Sequence, residues 1–597
     1  MSLRLLALQL VLAAMGRAGG DVVAQAAVVG GSGSTGLAVG GRGAVYDAAG
    51  HLLHQLRASE VHDQGLGGQG GTLMSDVRVR YADLRQPQVP YTVEFDYEEV
   101  SDNPLFYPTW QPQSQAGLAL QSASLRVSTP AALPLRYQER QLPPGTATVR
   151  TATAALATHQ WQLADLPALE DEDAAPPLAA LAPGVALAPG AFAVQGHAGT
   201  AATWAGLGQW NYALNAGRDA LPPAAAAAVR AAVAGAADDR ARVRRVYALL
   251  QGSTRYVSVQ LGLGGWQTLP ATAVASTGYG DCKALTNYTK ALLNAAGIPA
   301  FAALVAAGAE AADVPLDFPN AGFNHVILCV PPTRNGLADT LWLECTSQTT
   351  ACGYVGSFAG NRHALLLMPQ GGQLVATPRY GAAENRQERR LDLFLDAAGN
   401  ATATVRTRRT GLAQEPYAGL LHALSAAEQK QYLADHLPLP TFTLTQCALA
   451  PEPGGPVPAL LETLALTLPG LAPATGRRCF LAPNLLGYLP ALPVAAAASR
   501  RAALWLPAAQ HFADTVLVHL PASLRPETLP APVAWRTPYG HYASQYAALP
   551  DGTVQYVRHL ELRSGHLPAA AYAAYVAFCR RINQADKAPL VLLNTER

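Results

Sequence analysis

The strongest constraint on this chain of 597 residues is a change of hydrophobic period, from 2 to 3.6 and back to 2. Between residues 43 and 150, short alternating stretches are separated by turn residues: Gly43-Ala-Val-Tyr-Asp47, Val77-Arg-Val-Arg-Tyr81 and Tyr91-Thr-Val-Glu-Phe-Asp-Tyr97. Period 2 marks half-buried strands, and strands at this spacing predict a β-sandwich. Past residue 200 the pattern turns helical. Trp204 to Leu214 has helical spacing. Asp238 to Leu250 carries the stripe Val243, Val246, Tyr247 and Leu250 behind an acidic first turn, which suits the helix dipole. Tyr256 to Gln260 alternates as a strand. Tyr279 to Ala296 reads as a second helix region stopped by Gly297 and Pro299, and strands follow near 323–330 and 341–346. From Arg390 strands dominate again. A hairpin turns at Gly399-Asn400, residues 414–436 look helical, and the Pro-rich stretch 450–458 reads as a loop. A strand, a helix and a strand close the chain at 555–562, 568–582 and 590–593. The expected class is multidomain α+β: a β-sandwich-like region at 21–200, a helix-then-sheet core at 201–375 and a β-rich region at 376–597.

A net charge of +1 with no basic block gives no reason to expect a nucleic-acid partner. Half the residues are hydrophobic, enough for several cores, and no solenoid repeat is present. The seven cysteines, Cys282, Cys329, Cys345, Cys352, Cys447, Cys479 and Cys579, are too sparse for a disulfide scaffold. Their count allows one to three bridges and leaves at least one free thiol. No CxxC or His pair offers a metal ligand set, so neither metal nor cofactor is expected.

Arg4, the apolar run Leu5 to Met15 and the small residues around Gly16 to Gly20 have the layout of an export signal over residues 1–20. Periplasmic or secreted placement is therefore expected, with an ordinary buried segment as the competing reading. The run is too short to span a bilayer. Residues 174–217 lack Asp, Glu, Lys and Arg, but Pro176, Pro177, Pro183 and Pro189 argue against a membrane span. They read as an extended linker and a domain entry.

Chemistry concentrates in Tyr279-Gly-Asp-Cys282-Lys and the helix that follows. Leu285, Tyr288, Leu292 and Ala295 form its apolar face, Gly280 permits a tight entry and Asp281 is the expected cap. Cys282 then sits in the first turn, where unpaired N–H groups and the dipole stabilise a thiolate. Asp281 would repel that thiolate, and Lys283 is expected to be solvated. A cysteine at a helix start is more often structural than catalytic, so the partners matter. His325 opens one strand and Glu344 ends another, with Asn335-Gly336 between them as a hairpin turn. A turn centred on Asn335-Gly336 places His325 opposite Thr346 and diagonal to Glu344. Recentring on Arg334-Asn335 places it directly opposite Glu344. Both registers put the two side chains on one face. A carboxylate beside an imidazole fixes its tautomer and supports the imidazolium, the logic of a thiol acyl-transfer triad. The competing readings are a satisfied core histidine and a solvated glutamate.

These motifs resemble the transglutaminase-like superfamily, a branch of the papain-like thiol fold. Gly-Asp-Cys282-Lys with Gly297-Ile-Pro-Ala300 is similar to its bacterial nucleophile motif, Asn324-His325-Val to its histidine strand, and Leu343-Glu344-Cys-Thr-Ser to its third-residue strand, where most members carry Asp-Pro-Thr. The layout is similar to bacterial secreted proteins with an N-terminal DUF3857 domain, a transglutaminase-like core and a C-terminal DUF3858 domain. Pro90-Tyr-Thr-Val-Glu94, Arg255-Tyr-Val-Ser-Val-Gln260, Gly264-Gly-Trp-Gln267 and the last strand–helix–strand fit that layout. The resemblance implies a papain-like core between two β-rich domains, with Cys282 as nucleophile, His325 as acid–base and Glu344 as its orienting partner. Glu344 departs from the commoner Asp by one methylene. Gln260 and Trp266 are the oxyanion candidates, since relatives use a Gln or Trp side chain beside the nucleophile's own N–H. The implied substrate is a peptide or protein amide, or a component of the cell envelope, with water or an amine as acceptor. The alternative is a non-catalytic envelope-binding or assembly protein that keeps a relic core. The glycines at 262, 264 and 265 lack the helix and Lys-Ser/Thr of a phosphate loop.

Overall fold

Alternating residues pair into sheets at both ends of the chain, and the 3.6-period segment folds into helices against a sheet of its own. A computed structural model describes residues 3–5, 10–14, 25–30, 37–65, 72–75, 78–101, 105, 107–260, 265–309, 311–487, 489, 493 and 500–596. The result is a multidomain protein of mixed α and β structure with many separate sheets.

The N-terminal part holds two small packed units. In one, strands Leu37–Asp47, Arg78–Asp83 and Tyr91–Ser101 enclose Val45, Leu84, Tyr91 and Val93. In the other, Leu120–Pro130 and Leu156–Leu166 cover Arg136–Arg140 and Gly184–Ala188 around Trp161, Trp110 and Val185. The stretch expected to be a linker is therefore partly sheet. All five residues of Gly184–Ala188 are buried, and a charge-free apolar run of this kind is what a strand covered on both faces requires. The described residues of the export-signal stretch, Leu3–Leu5 and Leu10–Ala14, pair with Tyr91–Ser101.

The core begins with helices α1 (Trp204–Leu214), α2 (Pro223–Val233), α3 (Asp239–Ser253), α4 (Ala271–Thr277) and α5 (Cys282–Ala295). The expected α3 stripe is fully internal, and Asp238 caps the helix by accepting from the Ala241 N–H at 2.7 Å. Helix α5 ends as Gly297 predicts. Its φ is +75°, the Gly297 N–H donates to Asn294 O and the Ile298 N–H to Leu293 O, a Schellman closure. Leu285, Leu292 and Leu293 are fully buried, each contributing about 1.5–3 kcal/mol.

Five antiparallel strands follow: β1 (Phe301–Val305), β2 (His325–Val330), β3 (Leu341–Leu343), β4 (His363–Met368) and β5 (Gly371–Ala376), in the order β3-β2-β1-β4-β5. Leu328, Val330, Leu341 and Leu343 face the helices, while Ile327, Cys329 and Trp342 face away toward helix α6 (Gly356–Ala359). The Thr286 hydroxyl, fully buried, donates to Val326 O at 3.2 Å and ties α5 to β2 beside His325.

The C-terminal part is built on an eight-stranded sheet, with a four-stranded sheet that includes the last strand, Leu590–Asn594, and a two-stranded one beside it. The hairpin Arg386–Leu395 and Ala401–Thr410 turns at Gly399 as expected, and helices Glu415–Ala423 and Ala426–His436 occupy the segment read as helical. The Pro-rich loop is shorter than expected, since Ala450, Pro451 and Glu452 continue strand Thr443–Glu452. That strand lies at the sheet edge, where a proline's missing N–H is tolerated. The last helix, Tyr572–Asp586, is anchored by Arg558, whose guanidinium bonds Asp514 and Asp586 at 2.7–3.0 Å.

Replacing Thr286 with valine keeps the shape and removes one donor. The expected outcome is a loss of about 1–3 kcal/mol, read as a lower urea midpoint of the core's unfolding transition.

Candidate functional site

Asp281 and Gly278 decide where the nucleophile candidate stands. Gly278, at φ +69°, ends α4; strand Tyr279–Gly280 pairs in parallel with Arg255–Tyr256; Asp281 then caps α5 by accepting from the Ala284 N–H at 2.9 Å. Cys282 is thus the first residue of α5, and its N–H has no intrahelical acceptor. Its side chain is buried in an apolar cluster with Trp210, Trp266, Leu304 and Val326.

The charges at this turn differ from the sequence expectation. Lys283 is partly buried rather than solvated, and its ammonium lies 2.5 Å from Asp281. Burial works against that ammonium, but Asp281 and Cys282 outweigh it and hold its pKa above the usual lysine value. The Asp281 carboxylate is neutralised by its neighbour's cation. The repulsion expected between Asp281 and a thiolate is offset on the spot.

His325 opens β2 and is held from the residue before. Asn324 accepts from the Ala307 N–H at 2.7 Å and donates to Ala307 O at 2.9 Å. Leu328 pairs with Leu343, and Val330 with Leu341. Continuing that register puts His325 opposite Thr346 and diagonal to Glu344, the register of a turn centred on Asn335-Gly336. His325 Nε2 is 2.8 Å from Glu344 Oε2, with both side chains buried. The Cys282 sulfur lies close enough to the imidazole to favour its charged form. Glu344 Oε1 accepts from the Thr346 N–H at 3.0 Å and from the Thr346 hydroxyl, and the Tyr247 hydroxyl donates to Glu344 O at 2.7 Å. Both carboxylate oxygens are therefore assigned.

Burial alone would lower the His325 pKa. The Glu344 charge and the Cys282 thiol outweigh it, and the value is raised to about 10. Burial likewise pushes the Glu344 carboxyl up, but His325 and the Thr346 donors bring it below the ordinary range. All seven cysteines are free thiols. Cys329 and Cys345 are pushed up to about 12 by burial, which keeps them as inert thiols.

Of the two oxyanion candidates, Trp266 packs in the cluster that contains Cys282. Gln260 ends strand Ser258–Gln260, paired with Ser75, and its side chain lies outside the described residues. Two further residues near the site carry no signal in the sequence. Tyr256 lies within electrostatic reach of Cys282; its pKa is raised first by burial and then by the charges of Cys282 and Asp281. Its position two residues before Ser258 reads only as strand alternation, and its parallel pairing with the nucleophile turn is a tertiary fact. Phe358 of α6 meets the His325 ring edge-on at 5.1 Å, and no local motif points to it.

Residues 42–170 match the family model of a domain of unknown function, DUF3857, and residues 477–592 match that of a second, DUF3858. No curated protein matches the chain. The fold is similar to the crystal structure of a protein from Parabacteroides distasonis described as a putative protease. The TM-score is 0.61 at 12% identity, over 98% of this chain and 95% of that one. At that identity the likeness is one of fold.

The Glu344 carboxylate raises the His325 pKa to about 10, so His325 is expected to be an imidazolium at neutral pH. A histidine-resolved NMR titration is expected to show it losing its proton near pH 10, and Glu344→Gln is expected to move that titration down. The folded pKa lies above the unfolded value of about 6.5. The His325 contribution is therefore complete below about pH 6.5 and lost as pH rises through about 10, while the Glu344 contribution, from a lowered pKa, is lost as pH falls through its folded value.

Proposed function

We propose that this protein is a thiol-dependent acyl-transfer enzyme acting on amide bonds of peptides or proteins, with a papain-like, transglutaminase-like core. The observation that supports the reading is the buried His325–Glu344 pair at 2.8 Å together with Cys282 as the first residue of a helix nearby. Separate elements supply the three groups, and the charges around the imidazole favour its protonated form. The fold likeness to a putative protease is consistent with this reading.

In the proposed reaction Cys282 first passes its thiol proton to the His325 imidazole, and the Sγ thiolate of the resulting ion pair attacks the amide carbonyl carbon while the carbonyl π electrons move to oxygen. The Cys282 N–H, at the open start of α5, donates to that oxyanion, together with Trp266 or Tyr256. His325 delivers its Nδ1 proton to the leaving nitrogen as the C–N bond breaks, giving a thioester and a free amine. The neutral imidazole then takes a proton from the incoming water or amine, which attacks the thioester carbonyl and expels Cys282 as the thiolate, restoring the ion pair. Glu344 holds the ring in the orientation that presents Nδ1 to sulfur throughout. Water gives a peptidase or amidase and an amine gives a transglutaminase.

An amide-based electrophilic probe tests the triad. Labelling is expected at Cys282 alone, with Cys282→Ala and His325→Ala each nearly abolishing it and Glu344→Gln reducing it less, since a neutral acceptor keeps part of the ring's orientation. Equal labelling of wild type and Cys282→Ala, or no effect of His325→Ala, would make the non-catalytic envelope-binding reading the better one.

The oxyanion donor is separable by two conservative changes. Tyr256→Phe and Trp266→Phe each keep an aromatic ring and remove one donor. The residue that bonds the oxyanion is expected to lose about 10²–10³ in kcat with KM little changed, measured on any amide substrate the probe screen yields.

A further inference from the structure

Helix α6 is four residues long, and its side chains divide between core and solvent. Val355 just before it and Ala359 within it are buried in the cluster of Ile327 and Trp342, while Phe358 is 49% exposed. A lone exposed phenylalanine is ordinary. This one differs in what it touches. Its ring meets the His325 imidazole at 5.1 Å between centroids and 69° between planes. The acid–base candidate therefore has, as an immediate neighbour, an aromatic ring with half of its surface open to water.

The ring's backbone is held from two sides. Phe358 O accepts from the Gly308 N–H at 2.8 Å. Gly308 follows Ala307, whose N–H and carbonyl are both bonded by Asn324, the residue before His325. A single segment, Ala307-Gly308, thus ties the backbone of Phe358 to that of His325. On the other side Glu415 accepts from the Ser357 N–H and hydroxyl at 3.0 and 2.6 Å. An exposed aromatic on a fixed backbone loses little freedom when a ligand covers it, which is how rigid rings come to carry binding energy.

The proposed reaction says what covers it. His325 gives its proton to the leaving nitrogen, which must come within about 2.6–3.2 Å of the imidazole. The side chain of the residue that begins with that nitrogen starts two bonds beyond it, within van der Waals reach of a ring centred 5.1 Å from the imidazole. We infer that Phe358 walls the subsite for the leaving amine and selects an apolar side chain on the residue that follows the scissile amide. The inference rests on the acyl-transfer reading of Cys282. Capture of the thioester by an amine is the reverse of its formation: the amine nitrogen bonds to the carbonyl carbon, the C–S bond breaks and His325 takes the amine's proton. The same wall therefore selects the side chain of an amine acceptor.

The test uses the full chain and a panel of peptidyl thioesters, whose sulfur leaving group loads Cys282 without an amine. Equimolar leucinamide and glycinamide then compete for the acyl-enzyme. The ratio of the two amide products is divided by the ratio that the free thioester gives without protein. Leucinamide is expected to be favoured by about tenfold or more. Phe358→Ala should bring the corrected ratio near one, and Phe358→Leu should keep a several-fold preference. Both amines need Cys282 and His325 equally, so a disturbed imidazole cancels in the ratio. A corrected ratio near one in the wild type, a preference that survives Phe358→Ala, or an acyl-enzyme that yields to water and to neither amine overturns the subsite while leaving the acyl-transfer reading standing. If no thioester is turned over, or Cys282→Ala turns them over as readily as wild type, the acyl-transfer reading falls first and takes this inference with it.

Discussion

The antiparallel pairing of Leu328 with Leu343 determines where the candidate site's side chains stand. With that register, His325 and Glu344 are diagonal neighbours on one face, a separation of about 7–8 Å between backbones. The glutamate arm and the imidazole close that gap to 2.8 Å. A slip of one residue would turn one of the two groups to the other face. The hairpin tip is held against such a slip. Gly336 turns at φ +83° so close to Asp238 that a Cβ would meet its side chain at 2.7 Å. Asp239 donates its N–H to Asn335 O and accepts from the Thr333 hydroxyl and the Asn335 amide. The same α3 that buries the Val243 to Leu250 stripe thus fixes the turn, and its Tyr247 holds the backbone of Glu344.

Charge is arranged with the same economy at the start of α5. The cap that the helix needs is an acid, Asp281, adjacent to a cysteine whose thiolate an acid disfavours. Lys283 resolves the conflict by pairing with Asp281 at 2.5 Å within a buried turn. What remains beside Cys282 is the helix N-terminus and the imidazole of His325. A surface lysine would not serve, because water would screen the pair.

Much of this is legible in the sequence because it is local. Hydrophobic period places α1, α3 and α5 and three of the eight strands of the C-terminal sheet, Gly297 stops α5, and Asp281 is readable as a cap. The Asn335-Gly336 turn sets the parity of His325 and Glu344 by residue count alone. What escapes is tertiary. Whether Lys283 is solvated depends on what covers the turn. Gly184–Ala188 reads as linker because a strand buried on both faces has no alternation to show. Tyr256 and Phe358 reach the site by pairing and packing that no local pattern encodes.

The flanking regions grip the segments that carry the site. Arg136, on a strand of the N-terminal part, donates to Ala201 O and to Pro319 O, and Gln138 bonds Asp317. Phe318 packs against Ala186 and Ala188 of the same part. These contacts hold the loop that runs into Asn324 and His325. From the other side, Glu415 of the C-terminal part accepts from the Tyr354 hydroxyl at 2.6 Å and from the Ser357 N–H and hydroxyl at 3.0 and 2.6 Å. That fastens α6, whose Phe358 lies against the His325 ring. A helix of four residues makes almost no hydrogen bonds of its own, so its position is set by what binds it. The imidazole is thus packed between a loop held by one flanking region and a turn held by the other. Removing either β-rich part would leave Cys282 in place on α5 and free one of the two segments that fix its partner.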